Sequence, residues 1–211
     1  MKPGIGKLCI ITDIETQSRY SHIELAKLAI SGGADIIQLR DKRMSTSELI
    51  NTAIELNEIC RRSNVMLIIN DRTDIAIISD ADGVHLGKED IPIREARKLL
   101  GNKKIIGSTA HSFSEAMKAQ SDGADYIGYG HIYPTGSKIK NTRPKGLAKL
   151  KFITSKINIP VLAIGGVGLE NAKDVISTGV HGIAVIGSVV KSPCPDKTVK
   201  ELRKIVYEEK V

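Results

Sequence analysis

The chain has 211 residues, of which 41% are hydrophobic and 26% charged, values ordinary for a soluble globular domain and a length at which an α/β barrel forms around one core. No apolar run approaches the roughly 18 residues of a membrane span, and Met1 to Lys7 leads into a short strand-like run rather than a signal-peptide core, so one domain over 1–211, a cytoplasmic location and no membrane partner are expected. The net charge of +7 is spread over every expected helix, and with two Phe, five Tyr and no Trp there are no stacking residues interleaved in a basic patch; nucleic acid is therefore not an expected partner, and the positive excess is better suited to steering a small anionic substrate. Cys9, Cys60 and Cys194 are odd in number and lack metal-ligand spacing, which argues against a disulfide framework or a zinc site.

Apolar, β-branched runs alternate with amphipathic stretches along the chain. Strands are expected at Leu8 to Thr12, Asp35 to Arg40, Val65 to Asn70, Gly83 to Gly87, Lys104 to Ala110, Tyr126 to Ile132, Pro160 to Gly166 and Gly182 to Val189. Helical segments are expected between them, near 21–32, 45–63, 72–79, 92–100, 112–121, 146–156, 169–178 and 195–209. Ser45 with Glu48 and Ser112 with Glu115 have capping-box spacing. Three short segments repeat the order helix end, glycine turn, strand entry: Ser31 to Asp35, Ser121 to Asp125 and Ser177 to His181. Eight units spaced by about 25 residues, with no Gly-rich dinucleotide fingerprint after the first strand, predict a closed (β/α)8 TIM barrel whose chemistry lies at the C-terminal strand ends.

At the second strand end, Gln38, Arg40 and Lys42 alternate and so share one face, with Leu39 and Asp41 on the other. An amide and two cations converging there suit a diphosphate. Asn70-Asp71 ends the third strand and Asp90 follows the fourth; two carboxylates on adjacent loops suit Mg²⁺, which takes a few carboxylates plus water and phosphate oxygens. The fifth strand ends near Ser108, and the sixth leads into Gly130-His131 and a hydroxyl-rich loop, Pro134-Thr135-Gly136-Ser137-Lys138. Gly165-Gly166 and Ile186-Gly187 stand at the ends of strands seven and eight, where barrels commonly bind phosphate through backbone N–H groups. Of the histidines, His22 is expected to open a surface helix and His85, His111 and His181 to have structural or solvated roles, whereas His131 stands beside the proposed phosphate loop as a candidate acid or base.

The segments Gln38 to Lys42, Asn70 to Arg72, Ala81 to Gly87, Pro134 to Lys138 and Ala163 to Val167, in this order over nearly the whole chain, resemble the thiamine phosphate synthase family. The resemblance implies a transferase joining 4-amino-2-methyl-5-hydroxymethylpyrimidine diphosphate to a thiazole phosphate, through a dissociative step that releases diphosphate and needs no protein nucleophile. It implies further that Gln38, Arg40, Lys42 and Asn70 bind the pyrimidine diphosphate, that Asp71 and Asp90 hold Mg²⁺, and that Ser108 and Lys138 contact the diphosphate. Thr135, Ser137, Gly166, Ile186 and Gly187 would hold the thiazole phosphate. Two positions depart from the family pattern. Gly130-His131 stands where Gly-Pro is common and is similar to the related thiazole tautomerase, whose histidine shuttles a proton; Gly187 stands where serine is common. A tautomerase, and a barrel that only senses thiazole phosphate, are therefore alternatives, and a homo-oligomer is left open.

Overall fold

The computed structural model describes residues 4–16, 19–135 and 143–208. Eight parallel strands close a barrel in sequence order: β1 Leu8–Thr12, β2 Ile36–Leu39, β3 Met66–Asn70, β4 Gly83–Leu86, β5 Ile105–Ala110, β6 Tyr126–Gly130, β7 Val161–Ile164 and β8 Gly182–Val185. Around them lie α1 His22–Gly32, α2 Thr46–Arg62, α3 Thr73–Ile78, α4 Ile93–Leu100, α5 Phe113–Ser121, α6 Gly146–Thr154, α7 Ala172–Ser177, α8 Gly187–Val190 and α9 Pro195–Tyr207, with a 3₁₀ turn at Ile14–Thr16 after β1. This is the expected (β/α)8 architecture, with one displacement. The eighth strand stops at Val185, and the rest of its apolar run becomes the helical turn α8. Val189 and Val190 are buried, and a short buried apolar run has the same composition in either conformation.

Strand entry is fixed by a repeated device. Asp35 donates its N–H to Leu8 O and accepts the Leu8 N–H on its carboxylate; Asp82 does the same with Leu67 and Asp125 with Ile106, each carboxylate contact measuring 2.8 Å. The even strands β2, β4 and β6 are thus stapled to the first or second residue of an odd neighbour, satisfying ladder-end amides that burial would otherwise penalise. Two of these staples belong to the repeats visible in sequence. In the third repeat His181 keeps only the backbone half, donating to Val161 O, and turns its ring to Ile5 O at 2.8 Å.

Helix starts follow their caps. Ser21–Glu24 and Ser45–Glu48 form complete capping boxes. Ser112 accepts from Glu115 N, but the Glu115 carboxylate turns to His111 N at 2.7 Å instead of closing a box. Cys9 and Cys60 are buried and Cys194 is exposed; burial, with Asp35 nearby, pushes the Cys9 thiol to about 12, and burial, with Asp82 nearby, does the same to Cys60.

Contacts between non-adjacent strands show which side chains fill the lumen. His85 Nδ1 on β4 meets the Tyr126 hydroxyl on β6 at 3.0 Å, and Gln38 on β2 hydrogen-bonds the same hydroxyl. Side chains from alternate strands meeting across the axis make one layer of a barrel core. Gly107 on β5 is what admits the Tyr126 ring: a Cβ there would stand 2.1 Å from Tyr126 Cζ.

Candidate functional site

The C-terminal rim gathers most of the residues expected there. Gln38 and Arg40 are buried at the mouth, and Arg40 Nη1 pairs with the fully buried Asp13 at the end of β1. Glu15 stands 3.6 Å from Arg40 and 3.4 Å from Arg43. Lys42 does not continue the alternation, because β2 ends at Leu39; it projects at 57% side-chain exposure and lies 3.8 Å from Asp71. The single strand face expected to carry Gln38, Arg40 and Lys42 is therefore not formed as far as Lys42, which the loop after β2 sets beside Asp71 instead.

That loop has a buried support. His22, expected on the surface, is 2% exposed; its Nδ1 meets Thr12 Oγ1 at 2.9 Å and its Nε2 meets Asp41 Oδ2 at 3.0 Å. Asp41 Oδ1 accepts the N–H groups of Arg43 and Met44, each at 2.7 Å. Burial acts to raise the Asp41 pKa, but the His22 hydrogen bond and the two backbone donors outweigh it and hold the carboxyl below its ordinary range. Asp41 therefore shapes the segment that presents Lys42.

Asn70 ends β3 in register with His85, and Asp71 follows in the left-handed region at φ 65°. A non-glycine residue held there is the kind of local strain that concentrates at functional sites. Asp90 Oδ2 accepts Gly87 N–H at 2.6 Å, which folds the loop after β4. No group of three or more acidic, His or Cys side chains is clustered for a metal among the described residues. Asp71 and Asp90 follow the adjacent strands β3 and β4, Asp71 beside Lys42 and Asp90 on the Gly87 amide.

At β5 the geometry differs from expectation. Tyr126 and His85 approach Gly107 and Thr109, so these two face the lumen, and strand alternation turns Ser108 the other way, toward the helices; a cleft with Leu86, Asp90, Ile93 and Ala119 borders both Ser108 and Thr109. The hydroxyl inside the barrel at this level belongs to Thr109, whose Oγ1 meets His85 Nε2 at 2.9 Å. The alternation rule, started from Gly107, could have found it.

A second part of the rim is a cleft of about 550 Å³ bringing together Thr135, Gly166, Ile186 and Gly187, with Ser188 and Lys191 beside them. Gly165 and Gly166 have φ of 91° and 71°; a Cβ on Gly166 would lie 2.5 Å from Pro134 O, and one on Gly165 would lie 2.4 Å from His131 Cβ. Only glycine lets the β6 and β7 loops pack this closely. Gly187 and Ser188 open α8, and the first amides of a helical turn lack partners within it. The Ser188 hydroxyl oxygen is buried without a hydrogen-bond partner, so a hydroxyl is present one residue beyond Gly187. His131 is 4% exposed and packs behind Gly165. Ser137 and Lys138 lie outside the described residues.

Cations, amide and carboxylates on one side of the mouth, and a glycine-lined cleft after strands seven and eight on the other, define an enzyme of the phosphate-binding (β/α)8 class. Residues 8–189 match the family model described as thiamine monophosphate synthase. Thiamine-phosphate synthases of Chlorobium luteolum and Clostridium novyi are 46% and 49% identical, covering 94% and 88% of this chain and 92% and 91% of their own. The solved thiamine phosphate pyrophosphorylase from Pyrococcus furiosus is 40% identical, with a TM-score of 0.88 over 96% of both chains. The chain belongs to the thiamine monophosphate synthase family. No helix among the described residues is long and apolar enough to cross a membrane.

Proposed function

We propose that this enzyme joins 4-amino-2-methyl-5-hydroxymethylpyrimidine diphosphate to 4-methyl-5-(2-phosphooxyethyl)thiazole, giving thiamine phosphate and diphosphate, in the cytoplasm. The observation that carries the reading is the two-part rim. Arg40 on its Asp13 support, Lys42 on its Asp41 loop and the Asp71–Asp90 pair serve a diphosphate, while the Thr135, Gly166, Ile186 and Gly187 cleft serves a monophosphate.

The methylene C–O bond breaks with its electron pair leaving on the diphosphate, and the pyrimidine-stabilised cation is captured by the thiazole nitrogen lone pair. No proton leaves the reacting atoms and no protein nucleophile is involved. Mg²⁺ held by Asp71 and Asp90 would neutralise the departing diphosphate. Arg40 and Lys42, joined by Lys138 on the family resemblance, would add positive charge where negative charge grows, and Gln38 and Asn70 would hold the ring. Ser108 is replaced in this reading by Thr109 as the lumen hydroxyl near the diphosphate. Removing one preorganised contact of this kind costs about 3 kcal/mol, or roughly 10² to 10³ in rate.

Arg40→Ala should therefore lower kcat/KM by about 10² to 10³, while isothermal titration still detects thiazole phosphate in the cleft after strands seven and eight. Near-normal turnover in Arg40→Ala would reject the diphosphate role.

A further inference from the structure

The lumen contains a hydrogen-bonded chain that the reaction does not consume. Thr109 Oγ1 meets His85 Nε2 at 2.9 Å, His85 Nδ1 meets the Tyr126 hydroxyl at 3.0 Å, and Gln38 hydrogen-bonds that hydroxyl from the opposite strand. The four residues come from β5, β4, β6 and β2, and the chain runs from the level of the proposed diphosphate to the amide proposed to touch the ring. Tyr126 is 1% exposed, and the His85 ring lies 5.4 Å from it, centroid to centroid.

We infer that Thr109, His85 and Tyr126 are positioning residues that fix which end of the Gln38 carboxamide faces the pyrimidine, and so make the enzyme selective for an amino group on that ring. The inference rests on the proposed synthase reaction and deepens it. Its logic is directional. A neutral imidazole has one N–H and one acceptor nitrogen, while hydroxyls donate once and accept. A diphosphate oxygen only accepts, so Thr109 must donate to it and accept from His85 Nε2–H. His85 Nδ1 is then an acceptor and takes the Tyr126 O–H. The Tyr126 oxygen in turn accepts from the Gln38 amide N–H. That leaves Gln38 Oε1 and its second N–H for the ring. An aminopyrimidine offers the complementary pair, an amine N–H beside a ring nitrogen, as adenine does to a glutamine side chain. A 4-oxo ring offers the reverse pair and requires a flipped amide, which breaks the chain at a buried link.

The test compares kcat/KM for the 4-amino substrate and its 4-oxo analogue. The intact enzyme should prefer the amino ring by on the order of 10³ or more, as expected of a site built to hydrogen-bond one pattern. Tyr126→Phe keeps the ring and removes the link; the preference should fall by about 10-fold to 100-fold, through the KM of the pyrimidine substrate, with the KM for thiazole phosphate unchanged. His85→Leu, cutting the next link, should do the same. A preference retained in a folded variant, or equal losses on both rings as general loosening would give, overturns the inference. The unmutated protein supplies a second reading: imidazole ¹⁵N shifts with inorganic diphosphate and Mg²⁺ bound should show His85 as the Nε2–H tautomer, and the Nδ1–H tautomer would overturn the inference even if both variants fail to fold. Absence of product from the unmutated enzyme would instead overturn the synthase reading, while the tautomer still reports on the chain.

Discussion

Charged residues at the mouth act through their supports. Glu15, at 28% side-chain exposure, stands between Arg40 and Arg43, and in the proposed site it would compete for Arg40 with an incoming diphosphate. Partly exposed ion pairs are worth up to about 1 kcal/mol, so Glu15→Gln should lower the KM for the pyrimidine diphosphate about twofold to fivefold; an increase in KM would show that Glu15 helps to bind substrate. Asp41 permits a pH prediction. Its carboxyl lies below the ordinary 3.8, so its contribution to stability is complete above that value and is lost as pH falls through the lower folded value. Thermal melts of Asp41→Asn should accordingly differ from the unmutated protein at neutral pH and converge with it in acid; a gap that stays constant down to pH 2 would contradict the linkage. In sequence Arg40 was readable as a cation at a strand end, but Asp13, Glu15 and His22 were not readable as its neighbours, because they come from the β1 end and the start of α1, and their proximity is a product of barrel closure. Ser108 was assigned by family position, where the strand's own alternation favours Thr109.

Among elements, the aspartate staples carry the junctions. Asp125 accepts Ile106 N–H at 2.8 Å and pairs with Arg97 at 2.6 Å. Asp125→Ala leaves a strand-end amide and a guanidinium without this partner, at about 2 to 3 kcal/mol, which for a chain of this length lowers Tm by roughly 4 to 12 °C. The staple lies at the N-terminal end of the barrel, so kcat per folded molecule should be unchanged; a large fall in kcat would refute a purely structural role. At the opposite rim, Gly166→Ala places a Cβ 2.5 Å from Pro134 O at a φ of 71°, and should raise the KM for thiazole phosphate at least about tenfold by displacing the β6 loop. Strand existence and order were legible from the alternating apolar runs. The end of β8 was not, since the buried residues of the strand and of α8 form one apolar run and only tertiary packing distinguishes them.

At the level of the whole molecule, closing the sheet creates a function that no strand has alone. The lumen layer joins Gln38, His85 and Tyr126 from alternate strands, and the rim gathers the Arg40–Asp13 and Lys42–Asp71 pairs and the cleft around Gly166 at one mouth. The net charge of +7 adds long-range attraction for two anionic substrates, so kcat/KM should fall as salt rises from 0.05 to about 0.5 M. The most direct measurement of the central claim is product formation by the purified protein given both phosphorylated substrates and Mg²⁺, with thiamine phosphate and diphosphate quantified together. Equimolar release of the two, abolished by a chelator and restored by Mg²⁺, is the predicted result; no thiamine phosphate from a folded protein that still binds thiazole phosphate would contradict it.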